Sequence, residues 1–327
     1  MRRRELVALA GCAPLAAALP TQAQQSAMQM IGFLGSGSIT DSAAAVLLAA
    51  FRDGLGQSGY IEGRNIAISY RGAQGNYALL PALAAELVAL GPAVIVTTGS
   101  PASLAVMQVT KSIPIVFLSA DPVELGLVAN YSHPGRNATG ATLYSPELTP
   151  KRLALLRELL PNASTVAILS RPGSETAVSQ LAQIRAAAQS MKLDLQVLDA
   201  RNAGEIDRAF DLMAASPPHA LLVSADSFFT MQREQIVALA ARYRIPAIYE
   251  WRDHAVAGGL ASYGARLPDQ VRMLGVYVGR ILKGERPADL PVQQPTRFEL
   301  VINLRTAKVL GIGIPTAVLA RADEVIE

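Results

Sequence analysis

Twice along this chain a short apolar run ends in small polar residues, passes through a helical stretch, and resumes as a second apolar run announced by Ile-Pro. The first copy links Ala93-Val-Ile-Val-Thr-Thr-Gly-Ser100 to Ile113-Pro-Ile-Val-Phe-Leu118. The second links His219-Ala-Leu-Leu-Val-Ser-Ala-Asp226 to Ile245-Pro-Ala-Ile-Tyr249. Apolar runs this short, set between helices, read as parallel strands covered on both faces. Two such units far apart in sequence predict an α/β protein with two doubly wound parallel-sheet lobes. Open α/β sheets bind ligands beyond the carboxyl ends of their strands. Two facing lobes therefore predict a cleft between two sets of strand-end loops.

The length supports this division, since 327 residues exceed what one core usually sustains. Charge is nearly balanced, 29 Lys+Arg against 26 Asp+Glu, and no basic cluster follows residue 4. A nucleic-acid partner, which needs clustered positive charge, is not expected. The N-terminus reads as a signal peptide over residues 1–23. Arg2-Arg3-Arg4 is its charged start, Leu6 to Leu19 its apolar stretch, and Pro20-Thr-Gln-Ala23 its small-residue cleavage site. The apolar stretch is shorter than the roughly 20 residues a membrane-spanning helix needs, so an exported soluble protein is expected. Cys12 is the only cysteine. Leu9-Ala-Gly-Cys12 matches a lipoprotein processing box, but the apolar run before it, Leu6 to Gly11, is very short, which favours a cysteine inside an ordinary cleaved leader.

Strand-like and helix-like segments alternate from Met30 onward. Leu80, Leu83, Leu87 and Leu90 recur at helical spacing, as do Val271, Leu274, Val278 and Ile281. A short helix is expected after Asp121-Pro122, and Ala138 to Tyr144 reads as an extended segment crossing between lobes. Pro287 to Pro295 reads as a proline-rich traverse before a last strand at Phe298 to Ile302.

The chemistry of the strand-end loops suits an acidic or zwitterionic solute. A helix N-terminus offers unpaired N–H groups and partial positive charge, so a carboxylate can dock there without a basic side chain. Three loops have that character: Ser36-Gly37-Ser38, Thr98-Gly99-Ser100 and Ala120-Asp121. Ordinary helix capping would use the same residues. In the second half the candidates are Asp226, Phe228, Glu250, Trp251, Tyr263 and Gly264. Asp226 suits either a solute ammonium or a helix cap. Trp251, the single tryptophan, suits either an aromatic wall or packing against a hinge. Phe228 fits the core as well as it fits the cleft.

Signatures of catalysis are weak. Gly35-Ser-Gly37 begins like a dinucleotide fingerprint, but Thr40 holds its third glycine position and no acidic residue ends the following strand. There is no Gly-x-Ser-x-Gly elbow, and His133, His219 and His254 lack ligand spacing. No cofactor and no metal are expected.

Several blocks together carry a family resemblance. They are Gly59-Tyr-Ile-Glu-Gly-Arg-Asn65, Leu80-Pro-Ala-Leu-Ala-Ala-Glu-Leu87, Ile113-Pro-Ile-Val-Phe117 and Asp121-Pro-Val123, then Ile245-Pro-Ala-Ile-Tyr249, Gly258-Gly-Leu-Ala-Ser-Tyr-Gly264, Phe298-Glu-Leu-Val-Ile-Asn303 and Arg321-Ala-Asp-Glu-Val325. In this order they make the chain resemble substrate-binding proteins of ABC transporters with the type I periplasmic-binding fold, and within them the tryptophan- or tyrosine-uptake group. The resemblance implies two lobes joined by a hinge of three crossings. Lobe one would be 28–143 plus 264–290, and lobe two 144–263 plus 291–327. It further implies a monomer in the periplasm, with a lipid anchor only if Cys12 is processed. Such a protein would take a small amphipathic solute, an aromatic or branched amino acid or an aromatic carboxylate, to an ABC permease. A ligand-sensing module for a membrane receptor, or an exported α/β enzyme, are the other classes the residues allow.

Overall fold

The structure is a computed structural model that describes residues 28–143, 148–174 and 177–327. The expected signal peptide, Cys12 and Tyr144 lie outside the described residues. From its start the chain alternates β1 (Gln29–Gly35), α1 (Ser42–Gln57), β2 (Ile66–Gly72), α2 (Leu80–Ala89), β3 (Val94–Thr98), α3 (Ser100–Val109), β4 (Ile115–Ser119) and β5 (Ala138–Thr142). It continues with α4 (Leu148–Leu159), β6 (Thr165–Ser170), α5 (Ala177–Ser190), β7 (Asp194–Asp199), α6 (Ala203–Ala215) and β8 (Ala220–Val223). Then follow α7 (Ser227–Met231), α8 (Arg233–Arg242), β9 (Ala247–Tyr249), α9 (Arg252–Val256), β10 (Ala261–Ala265) and α10 (Leu267–Leu282). The last elements are β11 (Phe298–Asn303), α11 (Leu304–Leu310), α12 (Thr316–Leu319) and β12 (Glu324–Ile326).

These strands form two sheets. The first is all parallel in the order β2-β1-β3-β4-β5, and the second runs β12-β11-β10-β9-β8-β6-β7. In the second sheet β11 runs antiparallel to β10, because the chain re-enters that lobe from the opposite direction. The central strands β3, β4, β6 and β8 are mainly apolar, since helices cover both faces, and β3, β4 and β6 end in Thr or Ser at their carboxyl ends. Along β3, Val94 and Val96 enter one core with α1 and α10, while Ile95 enters the other with α2 and α3. In β6, Val166 and Ile168 face α4 and α5, while Ala167 and Leu169 face α6 and α8. This period of two divides each lobe into two cores.

Helix α10 returns to the first sheet, where the helices α1 and α10 touch backbone to backbone. A Cβ at Gly54 would lie 2.0 Å from the Arg272 carbonyl oxygen, and one at Gly275 would lie 2.2 Å from that of Phe51. The apolar stripe Val271, Leu274, Val278 and Ile281 is buried, as its spacing predicts.

The chain passes between the sheets three times: between Leu143 and Leu148, between Ala265 and Leu267, and between Leu290 and Phe298. Backbone hydrogen bonds tie the third crossing to β5, from Thr142 to the Gln293 carbonyl (2.8 Å) and from Gln293 to that of Gly140 (2.9 Å), and the second crossing to the third, from Arg266 to the Arg297 carbonyl (3.1 Å). Two sequence expectations need correction. Ala138 to Thr142 is β5, an edge strand of the first sheet paired with β4, so the crossing begins only after it. Gly140 permits this pairing, because any Cβ there would lie 2.0 Å from the Phe117 carbonyl oxygen. The segment after Asp121-Pro122 is a series of turns instead of a helix.

Candidate functional site

The carboxyl ends of β3 and β4 face those of β6, β8 and β9 across a cleft of about 840 Å³, counting its solvent-open mouth. Gly99, Ser100, Ser119 and Ala120 line it from the first sheet, with Tyr77 reaching in from the loop after β2. Helices α4 and α5 and the loops holding Asp226, Glu250 and Trp251 line it from the second.

Asp226 ends the turn after β8 and caps α7, its Oδ1 accepting from the Phe228 amide at 2.7 Å. The same oxygen accepts the Tyr77 hydroxyl from the opposite lobe at 3.1 Å and lies 3.6 Å from Arg171 Nη1. The Arg171 guanidinium in turn lies over the Tyr77 ring, 4.2 Å from its centre. Burial, reinforced by the Asp226 carboxylate, pushes the Tyr77 hydroxyl well above the ordinary phenol range, so it stays protonated and donates.

Deeper in the cleft Arg152 and Glu250 form an ion pair at 3.5 Å, with exposures of 2% and 8%. Arg152 also donates to the Tyr263 carbonyl (3.3 Å) and to Thr149 Oγ1 (3.1 Å). Its Nε and Glu250 Oε2 are buried without a hydrogen-bond partner among the described residues. Burial pushes the Glu250 carboxyl up, and the Arg152 charge opposes that shift. Two carboxylates, Asp226 and Glu250, and one guanidinium, Arg152, thus line one pocket, with Arg171 behind Asp226 and Tyr77, and charges of both signs suit a zwitterion. Trp251, itself 8% exposed, follows Glu250 and forms part of the wall. Ser100 Oγ accepts the Ala120 amide at 3.1 Å, which leaves its own proton to be donated elsewhere.

Six of the residues singled out from sequence meet on this cleft: Gly99, Ser100, Ala120, Asp226, Glu250 and Trp251. The others do not line it, each for a local reason. Ser36 is fully buried, and its Oγ accepts the Ala102 amide at 3.0 Å, capping α3 from a distance. Gly37 packs under Met231, and Thr98 turns its Oγ1 toward Gly35. Asp121 accepts the Val123 and Glu124 amides and the Tyr131 hydroxyl, which closes its own turn. Phe228 belongs to the core beside Phe229, their ring centres 5.5 Å apart. Tyr263 is also a core residue, stacked on Phe298, while its carbonyl holds Arg152. At Gly264 a Cβ would lie 2.2 Å from the Glu250 carbonyl oxygen, so this glycine lets β10 pass close behind Glu250.

Sequence reasoning missed Arg152, Tyr77 and Arg171. Arg152 did leave a signal: it sits four residues from both Leu148 and Leu156, on the buried stripe of α4. A charge on such a stripe requires a partner in the interior. Tyr77, in a short turn, and Arg171, just past β6, left no comparable signal.

Comparison with known proteins bears on what this cleft holds. A model of the ABC transporter substrate binding protein family matches residues 39–326. A tyrosine-binding protein from Clostridioides difficile is 25% identical over 263 residues, covering 80% of this chain and 75% of that protein. Among solved structures, a conserved domain protein from Vibrio cholerae superimposes with a TM-score of 0.85 at 30% identity, covering 91% of this chain and 99% of that one. An ABC domain from Streptococcus pneumoniae in complex with L-Trp superimposes with a TM-score of 0.84 at 26% identity, with coverage of 91% and 99%.

Proposed function

Because this chain belongs to the ABC transporter substrate binding protein family, a family of binding proteins rather than enzymes, we propose that it captures an amphipathic amino acid and delivers it to an ABC permease. An aromatic amino acid is the first candidate. The observation that carries this reading is the pairing of a Trp251 and Tyr77 wall with the Asp226 and Glu250 carboxylates and the Arg152 guanidinium in one cleft between strand ends, Arg171 backing Asp226 from behind. An amino acid presents the same combination: a flat apolar side chain and two opposite charges on one carbon. The tyrosine-binding relative and the L-Trp complex support the same ligand class.

The work is a shift of population. The open and closed forms differ in how many groups surround the solute, and only contacts made in the closed form can drive closure. Ser100 and Ala120 from one lobe, with Asp226 and Trp251 from the other, would supply those contacts. The three crossings act as the hinge between lobe one, 28–143 with the returning helix α10, and lobe two, which keeps β10 through Ala265 and resumes at β11, a division supported by the packing of α10 on α1. The charged and apolar leader at residues 1–23 supports export, which places the working protein outside the cytoplasmic membrane.

Trp251 provides the test, as the chain has no other tryptophan. Its emission should change on titration with L-tyrosine or L-phenylalanine, and calorimetry should show L-tryptophan binding at one site. Failure of every amino acid to bind the mature protein would refute the proposal.

A further inference from the structure

The lobes also meet outside the ligand cleft, at a second set of contacts. Met231, the last residue of α7, reaches from the second lobe into a notch between two loops of the first. A Cβ added at Gly37 would lie 3.4 Å from its sulfur, and one at Gly75 would lie 3.4 Å from its Cγ. The Ser38 amide donates to the Met231 sulfur at 3.1 Å. The notch is built for this guest. Gln74 donates its amide to the Gly37 carbonyl and Gly75 to that of Ser36, which knits the two loops together. Gly75 adopts a φ of +78°, a conformation that favours glycine and leaves the notch open on that side. Two residues on, Arg233 opens α8 and places Nη2 3.6 Å from Asp41 Oδ2. The other oxygen of Asp41 caps α1 through the Ala44 amide, so this carboxylate is held in place.

None of these residues lines the cleft. Their contacts span the two lobes, so they exist when the lobes are shut and are lost when the lobes part. We propose that Met231 and Arg233 form a clasp that favours closure whatever solute is bound, and so set ligand affinity without touching the ligand. A flexible thioether suits the role, because it fills an irregular gap and withdraws at little cost in rotamer strain. The clasp raises the fraction of molecules in the closed form, and apparent affinity scales with that fraction. The binding half of this inference rests on the proposed amino-acid ligand; the conformational half does not.

The test compares wild type with Met231→Ala, and separately with Arg233→Gln, in two measurements. Small-angle scattering of the ligand-free proteins should show more extended particles for the variants. Calorimetry with L-tyrosine and L-tryptophan as probes should show both amino acids weakened by the same factor, about tenfold for Met231→Ala, equivalent to about 1.4 kcal/mol. Superimposable scattering curves with unchanged dissociation constants would overturn the clasp, as would a loss confined to one amino acid. If neither amino acid binds wild type, the proposed ligand class fails, and scattering alone decides the clasp. Met231→Leu restores apolar volume without the sulfur acceptor and should recover most of the closure.

Discussion

Replacing Arg152 by leucine removes the cation that, among the described residues, lies within 4 Å of the Glu250 carboxylate, itself 8% exposed. Leucine fits the stripe that Leu148, Leu156 and Leu159 already form on α4, so the variant tests charge more than shape. Its cost follows from what remains: Glu250 buried with neither oxygen compensated, while Thr149 and the Tyr263 carbonyl lose a donor. Breaking a buried pair by deleting one partner costs about 3–5 kcal/mol, whereas replacing both by apolar groups is often close to neutral. Arg152→Leu should therefore lower unfolding stability by that amount at neutral pH, and Arg152→Leu with Glu250→Leu should regain most of it. The pH dependence has a definite sign. Burial already holds the Glu250 carboxyl above the usual glutamate range, and Arg152 is what restrains that shift. Without Arg152 the folded state prefers the protonated acid more strongly, so the native protein binds more protons than the unfolded chain. The variant's deficit relative to wild type should thus be small in acid and grow as pH rises through and above the ordinary glutamate range. Urea unfolding across pH reads both effects. A single variant that loses less than about 1 kcal/mol at neutral pH, with no pH trend, would refute the assignment of these two groups as a compensated buried pair.

Three further perturbations follow from the packing. Burial lowers the His254 pKa to about 4 from its usual 6.5, despite weak opposition from the Trp251 and Phe229 backbones. The neutral ring is then required in the folded state, so stability should fall by about 3 kcal/mol as pH drops from 6.5 to 4, a loss that His254→Phe should abolish in acid unfolding titrations. Gly54→Ala would place a Cβ 2.0 Å from the Arg272 carbonyl oxygen, whereas one at Gly56 in the same helix meets nothing within 4 Å. The first change should destabilise by about 1–3 kcal/mol or more and the second should be neutral or gain up to about 1 kcal/mol, as thermal melts would show. Trp251→Ala removes the aromatic wall and should weaken binding of aromatic amino acids at least tenfold by calorimetry; unchanged affinity would remove Trp251 from the site.

The parts of the fold that could be read from sequence were those whose burial left an apolar run. β3, β4, β8 and β9 are covered on both faces, so every residue had to be apolar or small. β5 escaped notice because an edge strand of Ala-Thr-Gly-Ala-Thr owes its place to Gly140 passing over Phe117, a contact that leaves no pattern of its own. The same contrast divides the site. Gly99, Asp226 and Trp251 stand at strand ends and follow from topology. Ser36 and Asp121 have the same residue chemistry at similar positions, yet their oxygens are taken by backbone amides. Whether a hydroxyl or carboxylate caps its own loop or faces the cleft depends on loop conformation, which residue type does not reveal. Tyr77 is the sharpest case, since it reaches the site only because the two lobes bring it to Asp226.

A crystal structure of the mature protein grown with L-tyrosine or L-tryptophan tests the central claim most directly. The amino acid should lie between Gly99-Ser100 and Asp226-Trp251, with its charged groups toward Asp226 and the Arg152–Glu250 pair and its ring against Trp251. Density for the amino acid elsewhere on the protein, with that space holding only water, would contradict it.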